Sequence, residues 1–329
     1  MGEPDPATDA LYREALTRAL ELGCNVIDTA VNYRHQRSER TIGDALAALI
    51  REEKLQRDEV FVATKGGFLS FDGAEPADAE AYFRKRFIST GLVSPSDVAA
   101  GCHVMSPAYL MDQIEVSRHN LGLETLDLYY LHNPETQLQR GTAHEFYGRL
   151  KAAFTALESA VAAGKIRAYG TATWNAHRVS PSAPEAVSLM QVVRLAEEAG
   201  GPAHHFRALQ LPFNLAMLEA LDPATQSMEG EPAPALVAAR SRGLMVFASA
   251  SLLQGRLAQG LPGEISRHLA GLQTDAQRAL QFVRSTPGVT AALVGMSRRE
   301  HVEENLGTAR VAPMSFTDYR AMFGDGNTD

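Results

Sequence analysis

Asn25-Val26-Ile27-Asp28-Thr29-Ala30-Val31-Asn32-Tyr33 carries a short β-branched run into an acid, with a tyrosine further along the same loop. Gly23 and Asn25 ahead of it suit a helix end and a turn. The run therefore reads as a buried strand, and the residues after Asp28 as the loop above it. A carboxylate at the end of such a strand needs a partner.

Working outward, Leu11, Ala15, Ala19 and Leu22 give helical spacing over 8–22, and Ile42, Leu46, Leu49 and Ile50 give it over 38–52. Glu59 to Thr64 reads as a strand ending at Lys65-Gly66-Gly67. Residues 66–105 then break the rhythm with glycines, prolines and short aromatic patches, as an insertion with small elements or a role of its own would. The alternation resumes with a helix from Ser106-Pro107 to about 120, a strand at 126–131 ending at His132, a helix at 143–163 and a strand at 166–170. Beyond it come a helix at 184–199, a strand at 207–211, a helix at 232–240 and a strand at 244–248. A helix at 274–284, a strand at 289–294 and a helix at 299–309 close the series. No linker or shift in composition divides the 329 residues, which read as a single domain.

Strands alternating with helices imply parallel pairing through right-handed crossovers. Either an open doubly wound sheet or a closed (β/α)8 barrel fits, with seven strands in hand. No Gly-x-Gly-x-x-Gly follows an early strand, against a Rossmann unit. The polar residues Asp28, Lys65, His132, Thr173, Gln210 and Arg298 stand at the carboxyl ends of different strands, and a barrel gathers all such ends at one mouth. The TIM-type barrel is favoured.

The charge balance of 31 basic to 39 acidic residues, with no basic block, makes nucleic acid and anionic membrane poor partners. No run is long enough to span a bilayer, and the start has neither a signal peptide nor a myristoylation signal. Cys24 and Cys102 are too few for a disulfide framework or a zinc cluster, which fits a reducing cytoplasm. His35, His103, His119, His204, His205 and His268 lack partners at metal-ligand spacing and read as surface or satisfied side chains.

Asp28-Thr29-Ala30-x-x-Tyr33 with Ser38-Glu39 and Ile42-Gly43, Ala63-Thr64-Lys65, Leu126 to His132, Gly164-Lys165-Ile166-Arg167 and Glu304-Asn305 together resemble an aldo-keto reductase, in that family's order from about residue 2 to about 309. The resemblance implies a TIM-type barrel, NADP(H) bound across its mouth, and a catalytic tetrad of Asp28, Tyr33, Lys65 and His132. Taken singly, an acid and a lysine at strand ends form a structural ion pair, Tyr33 packs in a loop and His132 caps a strand. Their ordered coincidence reverses that balance.

The chemistry of such a set follows from its residue types. Reducing a carbonyl by hydride needs a proton donor near the oxygen, and a phenol, with an ordinary pKa of about 10, is a weak acid at neutral pH. An ammonium beside a phenol favours phenolate, and a carboxylate holds that ammonium charged and in place. An imidazole at the fourth corner can hydrogen-bond the carbonyl and stabilise charge developing there.

For the cofactor, the resemblance implies carboxamide contacts from Thr173, Asn175 and Gln210, in a stretch with Ala172 where the family commonly has Ser. Ser249 stands where an aromatic usually stacks on the nicotinamide, with Trp174 or Phe247 as substitutes. Ser251 to Leu257, including Leu252, Gly255 and Leu257, would strap the pyrophosphate. Gly295, Ser297, Arg298, His301, Glu304 and Asn305 would hold the adenosine end, with Arg298 pairing a 2′-phosphate and so favouring NADP over NAD.

The largest departure is at the front. The family begins with a strand ahead of the first helix, whereas here the helix begins by residue 8 and the first barrel strand is missing. Two parallel edges would be left unpaired; either the true start lies upstream of Met1, which is expected, or the protein tolerates a seven-stranded, open or partner-filled barrel.

The chain is therefore expected to be an NADPH-dependent oxidoreductase acting on a small aldehyde, ketone or alcohol. The alternatives are a catalytically weak or inactive cofactor-binding regulator of the same fold, and an unrelated TIM-barrel lyase or hydrolase using Asp28 and His132. Substrate, direction and oligomeric state carry no transferable sequence code.

Overall fold

The computed structural model describes residues 2–323. Helix α1 (Pro6–Glu21) starts on Asp5, whose carboxylate accepts from the Thr8 amide, with Pro6 in the first turn. Strand β1 (Val26–Asp28), helix α2 (Arg37–Arg51), strand β2 (Phe61–Gly66) and a short helix α3 (Ala79–Phe83) follow. Next come α4 (Pro107–Leu121), β3 (Leu128–His132), α5 (Ala143–Ala162), β4 (Tyr169–Ala172), α6 (Leu189–Gly200) and β5 (Phe206–Pro212). An antiparallel ribbon of β6 (Gln226–Met228) and β7 (Glu231–Ala233) precedes α7 (Ala235–Ser241) and β8 (Met245–Ser249). Helices α8 (Gly263–His268) and α9 (Asp275–Ser285), strand β9 (Ala291–Ala292), α10 (Arg299–Leu306) and α11 (Phe316–Ala321) complete the described chain.

Seven strands form one parallel sheet in the order β1-β2-β3-β4-β5-β8-β9. It is a curled sheet with helices outside, a (β/α)8-type barrel lacking one strand. Inside, Ala63, Leu128, Tyr130, Ala172, Ala208 and Phe247 mix small and large side chains in the way that fills a barrel interior. Outside, the strands and the inner faces of α4 to α7 share the main core, where Leu110, Ile114, Phe146, Leu150, Phe154 and Leu157 are fully buried. Helix α2 packs on α4 through Gly43, where a Cβ would lie 2.5 Å from the Asn120 carbonyl oxygen.

Strands β1 and β9 each have a single neighbour. The Phe61 amide donates to Asn25 O, and the Thr29 amide donates to Ala63 O. By the alternation of a parallel ladder, the backbone polar groups of Val26 and Asp28 therefore face away from β2, toward the gap. Helix α1 crosses there, packed against α2 and α10. The segment expected ahead of Met1 lies outside the described residues.

Several expectations are corrected. In α1 only Ala15 and Ala19 are buried, against Val302 of α10, while Leu11 and Leu22 are exposed, because this helix has no strand beneath it to cover a wide apolar stripe. Ile50 is likewise exposed, and Gly43 and Ala45 take the inner face of α2. The strand expected at 166–170 begins at Tyr169, since Ile166 makes only an isolated bridge to Leu126 and the register shifts between Tyr169 and Gly170. The helix expected at 184–199 begins at Leu189, where the Ser188 hydroxyl accepts from Gln191 N. The stretch 232–240 is divided by Pro234 between β7 and α7. Within the insertion, Tyr82, Phe83 and Phe87 with Val93, Val104 and Tyr109 form a small core of their own.

Candidate active site

Parallel pairing of β1, β2 and β3 carries Asp28, Lys65 and His132 to the same end of the sheet. The Lys65 side chain is completely buried. Its ammonium donates to Asp28 Oδ1 at 2.5 Å and to the Thr29 carbonyl at 2.8 Å, and it reaches Tyr33 Oη at 3.4 Å. The same ammonium sits 4.9 Å from the centre of the Tyr33 ring. Burial alone would pull the lysine pKa down; the Asp28 charge and the neighbouring Tyr33 outweigh it, and the net direction is up. The ammonium is held charged.

His132 closes the set. Its ring meets Tyr33 edge-on at 5.9 Å and Phe68 edge-on at 4.9 Å. Burial, then the charge on Lys65, push its pKa well below the usual histidine value, so the imidazole is neutral, and its Nδ1 is buried without a hydrogen-bond partner among the described residues. The sequence-predicted tetrad is thus one contiguous group.

The loop that presents Tyr33 is tightly held. Arg34, His35 and Gln36 all have positive φ (51°, 55° and 72°), a strained run for residues with side chains. It is tied down by Arg34, whose buried guanidinium donates to the Glu3 carbonyl and to Asp9 at 2.6 Å.

A cavity of about 540 Å³ opens beside this group, between β1 and β9 and against α1. Asp28, Tyr33, Gln210, Ser249 and Gly295 line it, so five of the expected site residues meet there. Gln210, expected to contact a carboxamide, instead donates from Nε2 to Asp28 Oδ2 at 2.7 Å. Thr173 is buried with its hydroxyl on the Gln210 carbonyl, and Asn175 is bonded to Glu185. Neither lines the cavity. Phe247 is removed as a stacking partner, since it lies in the barrel interior against Phe61 and Tyr130, whereas Trp174 is 46% exposed.

Leu252, Gly255 and Leu257 lie on the loop after β8, where Gly255 is exposed and the two leucines are half-buried. Ser297 and Arg298 lead into α10. Arg298 and His301 are exposed, Glu304 is half-buried with its carbonyl accepting from Gln277, and Asn305 is buried with Oδ1 unpartnered. A second hollow of about 860 Å³, lined by Leu218, Val237, Phe316 and Phe323 among others, contains none of the tetrad.

Sequence reasoning missed His103 and Gln137. His103 reads as merely satisfied, yet its Nε2 lies 2.8 Å from the His132 carbonyl oxygen. Nothing in local spacing marks a side chain that acts on a backbone carbonyl across an insertion.

The sequence model of the Aldo/keto reductase family matches residues 2–193. The chain is 23% identical over 326 residues to the uncharacterized oxidoreductase YqkF of Bacillus subtilis (strain 168), covering 93% of this chain and 85% of that one. Over 180 residues it is 26% identical to the aldo-keto reductase yakc [NADP(+)] of Schizosaccharomyces pombe, covering 54% and 41%. Among solved structures, an aldo/keto reductase from Klebsiella pneumoniae in complex with NADP and acetate superposes with a TM-score of 0.63 at 24% identity, covering 98% of this chain and 87% of that one. A glycerol dehydrogenase from Gluconobacter oxydans gives 0.65 at 19% identity, covering 97% and 85%. Those likenesses carry the fold, and the family model, spanning more than half of the sequence, carries the membership: this chain belongs to the Aldo/keto reductase family.

Proposed function

We propose that the protein is an NADP(H)-dependent oxidoreductase that reduces an aldehyde or ketone, or oxidises the corresponding alcohol, with Tyr33 as the proton donor. The observation that carries this is the unbroken contact from Asp28 through the buried Lys65 ammonium to the Tyr33 hydroxyl, with a neutral His132 beside it.

Asp28 and the Thr29 carbonyl orient the ammonium, and the ammonium stabilises the phenolate that forms as Tyr33 gives its proton to the carbonyl oxygen. His132, neutral and half-buried, donates a hydrogen bond to that oxygen and holds it toward Tyr33. The surrounding burial keeps bulk water from screening these charges.

NADP(H), when bound, supplies the hydride. The adenosine end fits the residues present: among the described residues Asn305 offers a buried, unpartnered Oδ1, and Arg298 stands exposed beside the amides that begin α10. Ser249 and Gly295 line the cavity next to Asp28 and Tyr33. The Schizosaccharomyces pombe relative carries NADP(+) in its name and the Klebsiella pneumoniae structure holds NADP, which supports the same cofactor here. A small carbonyl substrate and a cytoplasmic setting go with this function; Cys24 and Cys102 are free thiols, and among the described residues no helix is long and apolar enough to cross a membrane.

Titration of cofactor fluorescence tests the assignment. NADPH is expected to bind more tightly than NADH, and Arg298→Ala to weaken NADPH by roughly 1–2 kcal/mol while leaving NADH unchanged. Equal losses for both would remove Arg298 from the 2′-phosphate.

A further inference from the structure

The insertion after β2 returns to the tetrad through one side chain. His103 is almost wholly buried and makes isolated antiparallel bridges to Phe68 and Ala99. Its Nε2 stands 2.8 Å from the His132 carbonyl oxygen, and its Nδ1 stands 3.1 Å from Gln137 Nε2. Gln137 Nε2 also contacts two backbone carbonyls, those of His103 at 2.9 Å and Asp97 at 3.3 Å, which identifies that atom as the amide nitrogen, a donor. Nδ1 of His103 therefore accepts, and Nε2 carries the hydrogen and donates to His132.

Two further features are built around this contact. Phe68 stands edge-on to both imidazoles, 5.1 Å from His103 and 4.9 Å from His132. Gly67 has φ +147°, and a Cβ there would lie 2.8 Å from His103 Nε2 and 2.9 Å from the His132 oxygen. Only glycine leaves room for the bond. Meanwhile the His132 ring has no hydrogen bond at Nδ1 among the described residues, so its direction depends on its backbone and on ring packing.

We propose that His103, oriented by Gln137, is a positioning residue: it fixes the His132 carbonyl, with Phe68 wedged beside it, and thereby aims the His132 imidazole at the substrate oxygen. The consequence for turnover rests on the role given to His132 above; the coupling between the two histidines does not.

Two variants separate positioning from mere packing. In His103→Gln the side-chain amide still reaches the His132 carbonyl as a donor, whereas His103→Phe keeps a ring and loses the bond. His103→Phe is expected to lower kcat by roughly tenfold to a hundredfold, as a misplaced catalytic group does, with NADPH affinity within about twofold of the parent. His103→Gln should recover most of that loss. Unchanged kcat in His103→Phe, or equal loss in both variants, overturns the proposal.

Nitrogen NMR of histidine-labelled protein reads the same coupling without turnover. His103 is expected as the neutral Nε2–H form at neutral pH, and the His132 signals are expected to move in His103→Phe and to return in His103→Gln. If the parent protein turns over no carbonyl but those signals behave so, the proposed reaction fails and the coupling stands; His132 signals unmoved in His103→Phe sink the coupling itself.

Discussion

Lys65 is the residue on which the site depends most. A fully buried ammonium is tolerated because Asp28, the Thr29 carbonyl and Tyr33 surround it. Removing one member of such a pair strands the other, and Lys65→Met is expected to cost roughly 3–5 kcal/mol of stability as well as turnover. Adding Asp28→Asn should restore much of the stability and none of the activity, and denaturant melts of the two variants would check it. Acid acts on different residues. Burial depresses the pKa values of His103 and His177 to about 4, so both are neutral when folded while the unfolded chain takes up protons from about pH 6.5 downward. The unfolded state then binds more protons, and stability falls as pH drops through that window. Glu39 and Glu135, whose pKa values burial raises, oppose this at the acid end. Denaturation midpoints at pH 7 and pH 5 are expected to differ, with a smaller gap in His177→Asn; an unaltered gap would exclude that histidine. The grouping of Asp28, Tyr33, Lys65 and His132 was legible because these residue types stand in a distinctive order along the chain. The clamp of His103 on His132 was not, because its acceptor is a backbone carbonyl and its orienting partner lies on another loop.

Among the elements, the strands facing the gap differ from those inside the sheet. Val26 and Asp28 present amides to the open side of β1, whereas Ile27 is bracketed by ladder bonds to β2. Hydrogen exchange in the cofactor-free protein should therefore find the amides of Val26 and Asp28 far less protected than that of Ile27 or those of β3. Uniform protection along β1 would mean that its outer edge is covered in solution. Element type and order were legible from periodicity and from cap residues such as Ser106-Pro107. Boundaries slipped where tertiary contacts decide them. Ile166 is apolar enough for a strand but bridges only Leu126, and Pro234 splits a stretch that hydrophobicity alone makes one helix. The aromatics of the insertion close on each other and on Tyr109, a long-range pairing that no local pattern reveals.

At the scale of the molecule, the parallel order of seven strands followed from the alternation of elements, and among the described residues β1 and β9 stand at the two ends of that order. What the sequence did not convey is how the gap and the site combine: Asp28, Gln210 and Ser249 line the same cavity that separates the two edge strands. We propose that residues 1–329 fold as one unit, for which calorimetry should give one transition. Under the proposed function, this barrel carries a working reductase whose proton donor is Tyr33. The most direct test follows nicotinamide oxidation with NADPH and a panel of aldehydes and ketones, for the parent protein and Tyr33→Phe, alongside cofactor binding by fluorescence. The parent should consume NADPH with at least one carbonyl, and Tyr33→Phe should bind the cofactor but reduce nothing. A parent that binds no NADPH, or a Tyr33→Phe variant that still turns over, would contradict it.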